Sequence, residues 1–189
     1  MTTPAPEVPP ETASHITKQE PTVELRPAEQ HELEDLKRRL QEAFTQSAVA
    51  EFGQDDGEPI PSDSEINASF SAPQAEVLQI LWQGTSVGGA VVTIHEGGAR
   101  GVLDFFFLDG SSQGAGLGYA AWCAIEKRYP TVRLWETATP YFEKRNIHFY
   151  VNKCGFHIVE FFHPGHPDPH HPADHGDVPD YMFRFEKAI

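Results

Sequence analysis

The stretch of sequence that decides the fold covers residues 103–137 and reads LDFFFLDGSSQGAGLGYAAWCAIEKRYPTVRLWET. It opens with large apolar residues typical of a buried strand, and it ends with a second strand-like run at residues 132–137. Between the two runs, an apolar helical face begins at Leu117, and Tyr129-Pro130 ends that helix. A strand, a helix and a further strand in this order predict one parallel crossover.

Three strand-like runs lie in or just before this stretch, at residues 76–82, 86–95 and 101–108. The turns between them are too short for a crossover, so they form an antiparallel meander. The remaining predicted elements are a strand at 22–26, helices at 29–44 and 140–154, a Gly155 helix cap, and strands at 156–162 and 181–186. The predicted fold class is therefore α+β (mixed α/β), with a central mixed, mostly antiparallel sheet of about seven strands flanked by helices.

The chain of 189 residues has the length of one domain. Residues 1–21 carry five prolines and no apolar periodicity, which predicts a disordered N-terminal tail. The folded domain is then expected to cover residues 22–189. A loop rich in His and Pro, residues 161–180, lies within that domain.

The composition excludes several classes of protein. Asp and Glu total 28 against 14 Lys and Arg, which gives a net charge of −14 and argues against general nucleic-acid binding. The longest apolar run, residues 105–108, is far too short to cross a bilayer, and the N-terminus lacks the pattern of a signal peptide. We therefore expect a cytoplasmic protein with no membrane or nucleic-acid partner.

An acidic stretch, EFGQDDGEPIPSD, covers residues 51–63. Ser62 and Glu65 have the spacing of a capping box, so a short helix is expected to begin there. The acidic side chains fit a solvated loop face. They also fit the rim of a cleft that attracts a cationic small molecule.

A glycine-rich loop from Gln113 to Gly118 stands at the start of the crossover helix. Glycines let backbone N–H groups approach a ligand, and the helix dipole adds positive charge, so the loop suits a pyrophosphate. A second interpretation is that the glycines only form a tight turn between the strand and the helix, without binding a ligand. A dinucleotide fingerprint is a third interpretation, with Glu136 about twenty residues after the glycines. The antiparallel strands that precede the loop argue against this last one.

The strand LDFFFLD, the Q-x-x-G-x-G pattern at Gln113, Gly116 and Gly118, and NIHFYVNKCGF at residues 146–156 resemble the GNAT superfamily of N-acetyltransferases. The resemblance covers roughly residues 22–189, and the order of elements agrees along it. It implies acetyl-CoA as the co-substrate, placed between two parallel strands that splay apart.

The resemblance also implies cofactor contacts. The pyrophosphate is expected on the amides from Gly114 to Tyr119, and the pantetheine beside the backbone of Phe106 and Leu108. Glu143 stands where the family often has a CoA-contacting Asn, and Asn146 where it often has a small residue. The implied cofactor-binding residues are Phe106, Phe107, Leu108, Gln113, Gly114, Ala115, Gly116, Leu117, Gly118, Tyr119 and Asn146.

Three residues are candidates for the chemistry. Tyr150 occupies the family's position for the acid that protonates the departing thiolate, although a core aromatic would fit there too. The reaction also needs a base, for which Asp104 is the first candidate because strand alternation places it on the face of Phe106. Glu136 on the facing strand is the second candidate. The resemblance places the developing oxyanion on the amide of Leu108.

Five histidines lie between His163 and His175, which raises the question of a metal. Five prolines in this part of the sequence prevent a regular helix, so helical ligand spacing carries no weight. A solvated loop beside the substrate, adventitious metal binding and a true metal site are all open, and we assign no metal ligand. Cys123 and Cys154 are both expected to be small buried apolar residues.

The favoured function is an N-acetyltransferase that moves an acetyl group from acetyl-CoA to a primary amine of a small molecule by direct attack. A non-catalytic acyl-CoA-binding or sensor protein on the same scaffold is one alternative. A metal-binding module built around the histidine loop is another. A homodimer is left open.

Overall fold

The computed structural model describes residues 21–53, 59–169 and 181–189. The seven strands are β1 (Glu24–Pro27), β2 (Ala75–Trp82), β3 (Thr85–His95), β4 (Arg100–Leu108), β5 (Leu134–Pro140), β6 (His157–Phe162) and β7 (Met182–Ala188). The helices are α1 (Leu33–Phe52), α2 (Asp63–Phe70), α3 (Leu117–Arg128) and α4 (Lys144–His148), and a π-helical turn (Phe149–Cys154) continues α4.

The strands form one sheet in the order β1-β2-β3-β4-β5-β7-β6. Among the described strands, only β4 and β5 pair in parallel, and α3 makes the crossover between them. The predicted meander, crossover and mixed seven-stranded sheet are confirmed. The dinucleotide-binding interpretation is wrong, because a single parallel pair at the end of a meander is not a doubly wound sheet.

The helices cover the two faces of this sheet. On one face, Leu36 of α1 and Ile66 of α2 pack with Phe107 in one apolar cluster. On the other face, Trp122 of α3 packs with Trp135 of β5 in a larger cluster. Within the described ranges, no helix is both long and apolar enough to cross a membrane.

The sequence-based prediction is wrong for the end of α1 and correct for the start of α2. The first long helix continues to Phe52, past the predicted end at residue 44, and stops at Gly53 in the left-handed region with φ of 72°. Acidic composition alone does not end a helix. The capping box is confirmed, since the Glu65 amide donates to Ser62 Oγ at 3.3 Å and the Ser62 amide to Glu65 Oε2 at 2.8 Å.

Two other boundaries differ from the prediction. Residues 161 and 162 belong to β6, so the described part of the His/Pro-rich loop begins at residue 163. The helix predicted at residues 140–154 loses its first residues, because Pro140 still pairs within the sheet. The predicted tail, apart from Pro21, and residues 170–180 of the loop lie outside the described residues.

The two cysteines differ in their surroundings. Cys154 is buried at the end of the π-helical turn, and burial raises the pKa of its thiol to about 12. Cys123 is exposed on α3, so its predicted burial is wrong. The reason is that the buried stripe of α3 runs through Leu117, Ala121, Trp122 and Ile125 and leaves Cys123 on the outer side.

Candidate active site

A gap opens between β4 and β5 at the centre of the sheet. The two strands pair over four rungs, from Arg100 beside Leu134 to Leu103 beside Thr137. Beyond Leu103, β4 continues paired with β3, and beyond Thr137, β5 continues paired with β7. The C-terminal halves of the two strands therefore form the arms of a V-shaped gap.

The backbone of β4 turns hydrogen-bonding groups toward this gap. The Asp109 amide donates to the Val87 carbonyl at 2.9 Å, which makes these two opposite residues a hydrogen-bonded pair. Because such pairs alternate along an antiparallel ladder, Leu108 and Phe106 direct their N–H and C=O groups away from β3. The carbonyl of Leu108 accepts a hydrogen bond from Gln113 Nε2 at 3.1 Å on that side.

Phe107 does not border the gap, although the sequence grouped it with Phe106 and Leu108. Its backbone belongs to the alternate set that pairs with β3, and its side chain is buried in the cluster under α1. Neither the backbone nor the side chain of Phe107 therefore faces the gap, although the resemblance implies a cofactor contact for this residue. In a strand, only every second residue faces the same edge.

A β-bulge at Asp104 changes which residues share a face. Val91 pairs with Phe105 and Val92 pairs with Leu103, so Asp104 is the extra residue. Its carboxylate accepts a hydrogen bond of 2.6 Å from Thr93 Oγ1. Phe106 lies on the opposite face, where its ring stacks on Phe149 with centroids 5.7 Å apart. The expectation that Asp104 and Phe106 share a face is wrong, because the bulge interrupts the alternation.

Tyr150 lies at the vertex of the gap, in the π-helical turn after α4. Its hydroxyl lies beside Thr137, whose Oγ1 donates to the Leu103 carbonyl at 2.9 Å. Burial raises the pKa of Tyr150 far above its ordinary value, against the opposing effect of Thr137. Tyr150 is consequently a neutral phenol at neutral pH and holds a proton at the point where the two strands part.

Glu136 occupies the opposite face of the sheet from Tyr150. Its two carboxylate oxygens accept hydrogen bonds from Arg100 Nε and Nη2, both at 2.7 Å, and Arg184 Nη1 lies 3.7 Å away. Its side chain is 10% exposed. Since both oxygens are engaged, Glu136 is poorly placed to accept a proton. Asp104 lies on the same face of the sheet.

The glycine-rich loop follows β4 and leads into α3. Gly114 and Gly116 have φ of 85° and 80°, in the left-handed region that favours glycine, and Gly116 caps α3. No described backbone carbonyl accepts from the amides of residues 114–118. These donors and the helix dipole form a site for an anion.

Side chains of the later helix reach this loop and the β5 arm. Arg145 donates a hydrogen bond to Gln113 Oε1, which brings a guanidinium to the loop. Asn146 Nδ2 lies 3.4 Å from Thr139 Oγ1 and connects α4 to the β5 arm. Of the other predicted contacts, Ala115 and Tyr119 are exposed, and the Leu117 side chain is buried in the core.

The sequence did not single out Thr137 or the charged partners of Glu136. Strand alternation puts Thr137 on the same core-facing side of β5 as Trp135. A polar residue on that side is the sequence feature that could have identified Thr137 as a site residue. Glu143, which stands where the family often has a CoA-contacting Asn, is buried at the start of α4, where its negative charge helps to raise the pKa of Tyr150.

Residues 33–156 match the family model described as "Acetyltransferase (GNAT) family". The chain belongs to this family of acetyltransferases, and the predicted resemblance is confirmed.

Individual proteins are also similar to this chain. The chain is 48% identical over 179 residues to the uncharacterised protein YrkN of Bacillus subtilis (strain 168), which covers 92% of this chain and 97% of YrkN. An acetyltransferase from Thermus thermophilus has a similar structure, with a TM-score of 0.63, 16% identity, and coverage of 89% of this chain and 97% of that chain. A Bacillus subtilis acetyltransferase in complex with CoA gives a TM-score of 0.60 at 19% identity, with coverage of 89% and 99%. At these identities the two structures are evidence of the fold.

Proposed function

We propose that this protein is an N-acetyltransferase that transfers an acetyl group from acetyl-CoA to a primary amine of a small molecule. One observation carries the proposal. The gap between β4 and β5 has backbone groups of Phe106 and Leu108 directed away from β3 along one arm and the buried, neutral phenol of Tyr150 at its vertex. This arrangement combines a binding edge for an amide-containing chain with a proton donor.

The placement of acetyl-CoA follows from the same elements. The pantetheine amides would pair with the β4 edge as an added strand does. The pyrophosphate would accept hydrogen bonds from the amides of residues 114–119, which lie at the end of that edge. Backbone donors explain how a protein with a net charge of −14 would hold this anion. The CoA complex of the similar Bacillus subtilis acetyltransferase supports the assignment.

The proposed reaction assigns each bond change and each proton transfer to a named group. The free amine attacks the thioester carbonyl carbon, so a C–N bond forms as the C–S bond breaks. Asp104 accepts the proton that the amine loses, directly or through water. The Leu108 N–H would stabilise the negative charge on the carbonyl oxygen. Tyr150 donates its proton to the departing sulfur, and the products are the N-acetyl amine and CoA thiol.

Direct attack fits the cysteines better than an acyl-enzyme does. Cys154 is buried and its pKa is raised to about 12, so little thiolate forms at neutral pH. Cys123 stands on the outer side of α3, away from the buried face that packs against the sheet. Neither thiol has the surroundings of a nucleophile at the gap.

The described part of the acidic stretch does not support a cationic acceptor. Asp63 accepts from Gln41 at 2.8 Å and lies 3.8 Å from Lys37, and Glu65 closes the capping box. These carboxylates have local structural partners. The homodimer stays a prediction, which light scattering on the purified protein will measure.

The first experiment is thermal unfolding with and without acetyl-CoA, repeated with zinc and with EDTA. Ligand at about 100 times Kd adds roughly 2.7 kcal/mol, which raises Tm by about 5–10 °C in a domain of this size. A rise, followed by release of CoA thiol in a screen of amines, supports the proposal. A rise without turnover on any amine favours a non-catalytic acyl-CoA sensor. A shift with zinc alone favours the metal-binding module.

A further inference from the structure

The face of the sheet opposite Tyr150 carries a group of paired charges that the proposed transfer step does not use. Arg100, Glu136, Glu160, Arg184 and Glu186 come from four adjacent strands. Arg184 is the centre of the group. Its Nε donates to Glu160 at 3.0 Å and its Nη1 to Glu186 at 2.6 Å.

Four of these five charged side chains, all except Glu186, line a cavity. It has a volume of about 230 Å³ and is lined by Arg100, Glu136, Glu160, Phe162, Pro169 and Arg184. This volume is below the roughly 300 Å³ at which pockets for drug-sized ligands begin, so the cavity has room only for a small molecule. The described part of the histidine loop closes one side through Pro169, and His166 Nε2 contacts Glu160 at 2.9 Å.

The strand register places the cavity beside the vertex of the gap. Glu136 directly precedes Thr137, on the last rung that β4 and β5 share. Arg184 pairs with Ala138, on the first rung beyond that point. One strand spacing of about 4.8 Å separates β7 from β5, so a small molecule at Arg184 lies next to the opening between the arms. Asp104 borders the same opening on the same face.

The charges on the cavity wall alternate in sign, which defines the chemistry of the occupant. A polyamine would be repelled by the guanidinium groups of Arg100 and Arg184. A dicarboxylate would be repelled by the carboxylates of Glu136 and Glu160. A molecule with one ammonium and one carboxylate complements both signs. Among the residues that the structure describes, no acceptor lies at Nη2 of Arg184, so this nitrogen has donors for an incoming carboxylate.

The pairing within the cavity also keeps Arg184 in place. Burial alone would lower the pKa of Arg184, but the hydrogen bonds to Glu186 and Glu160 raise it. Paired charges in partly buried positions add little to stability compared with apolar residues of the same shape. A binding role accounts for a cluster of five charged side chains where the fold would accept apolar ones.

We propose that this cavity is the acceptor site of the transferase and that the acceptor is a zwitterion of α-amino-acid type, whose carboxylate binds Arg184. The inference rests on the proposed function. Arg184 binds the carboxylate, and Glu160 is a positioning residue that orients Arg184. With the carboxylate held there, the neighbouring amine faces the opening between Asp104 and Ala138.

The test compares matched acceptors in the thiol-release assay with the full-length protein and acetyl-CoA. The panel contains L-α-amino acids, their carboxamides and the corresponding amines without a carboxylate. We expect kcat/KM for the preferred amino acid to exceed that of its carboxamide by about 10- to 100-fold, as for loss of one charge-assisted hydrogen bond. In Arg184→Gln the value for the amino acid falls to that of the carboxamide, which itself stays unchanged.

Controls separate this result from misfolding. Arg133→Gln removes an exposed guanidinium at the other end of β5 and leaves the preference intact. Arg184→Lys keeps the charge, and we expect partial recovery of the preference. The rise in Tm with acetyl-CoA reports whether each variant is folded.

Two outcomes overturn the inference alone while acetyl-CoA still raises Tm. In the first, carboxamides or plain amines react as well as amino acids. In the second, no compound of the panel reacts. Absence of any effect of acetyl-CoA on Tm overturns the proposed function instead, and the zwitterion site with it.

Discussion

The hydroxyl of Thr137 donates a hydrogen bond of 2.9 Å to the carbonyl oxygen of Leu103, across the last rung that β4 and β5 share. The same side chain lies beside the hydroxyl of Tyr150 and acts to lower the pKa of that phenol. One side chain therefore joins the point where the strands part to the proposed acid. This relationship makes Thr137 the residue through which the stability of the gap and the position of the phenol are coupled.

Replacement of Thr137 by Val tests this coupling. The change keeps the shape of the side chain but leaves the buried Leu103 carbonyl without its donor, at a cost of about 1–3 kcal/mol. Urea denaturation measures the loss, and we expect kcat to fall as well because Tyr150 loses the polar neighbour that acts to lower its pKa. Thr137→Ser retains the hydroxyl and is the matched control. A Val variant as stable as the wild type would contradict the assignment.

Replacement of Tyr150 by Phe tests the proposed general acid. Removal of the hydroxyl should lower kcat by about 10²- to 10⁴-fold, the usual contribution of a positioned acid, and leave the KM for acetyl-CoA unchanged. Tyr129→Phe is a matched control, since the Tyr129 hydroxyl contacts Glu76 on β2, two strands away from the β4 arm of the gap. Wild-type turnover in the Tyr150 variant would exclude this residue as the acid.

Alkaline pH provides an independent test of the buried phenol. The pKa of Tyr150 is raised in the folded protein, whereas an unfolded tyrosine ionises near pH 10. The stability that this difference contributes is fully present below about pH 10 and is lost as the pH rises toward the folded value. We expect the unfolding free energy of the wild type to fall more steeply than that of Tyr150→Phe between about pH 9 and pH 11. Equal slopes would place Tyr150 in contact with solvent.

Replacement of Gly114 by Ala tests the anion site. Gly114 has φ of 85° and open space around it, so Ala adds backbone strain of about 1–2 kcal/mol without a clash. Gly97 has φ of 64°, is equally open, and lies at the other end of β4. We expect both variants to lose similar stability, and only Gly114→Ala to weaken acetyl-CoA binding in calorimetry. Equal affinities in the two variants would remove the loop from the site.

Local chemistry made much of this fold predictable. The crossover follows from two apolar runs on either side of one amphipathic helix, and α2 begins where Ser62 and Glu65 form a capping box. Tyr150 was identified through the family resemblance, in which a tyrosine precedes a Gly-Phe turn, and Gly155 closes that helix in the left-handed conformation. For the crossover and the capping box, the determining residues are near neighbours in the sequence.

The features that escaped prediction depend on distant partners. The bulge at Asp104 is set by the register between β3 and β4, and nothing in the alternation of the sequence marks it. The pairing of Arg100 with Glu136 and of Arg184 with Glu160 joins residues 36 and 24 positions apart. Charges that neutralise each other across strands look, in the sequence, like ordinary solvated side chains.

The four rungs between β4 and β5 have a mechanical consequence. They are the backbone connection between one half-sheet, β1 to β4, and the other, β5 to β7. A substrate that pairs with Phe106 and Leu108 in the gap extends this connection between the two half-sheets, as an inserted strand would. Amide hydrogens of these two residues should therefore exchange slowly only in the complex, because the bound substrate then supplies their acceptors.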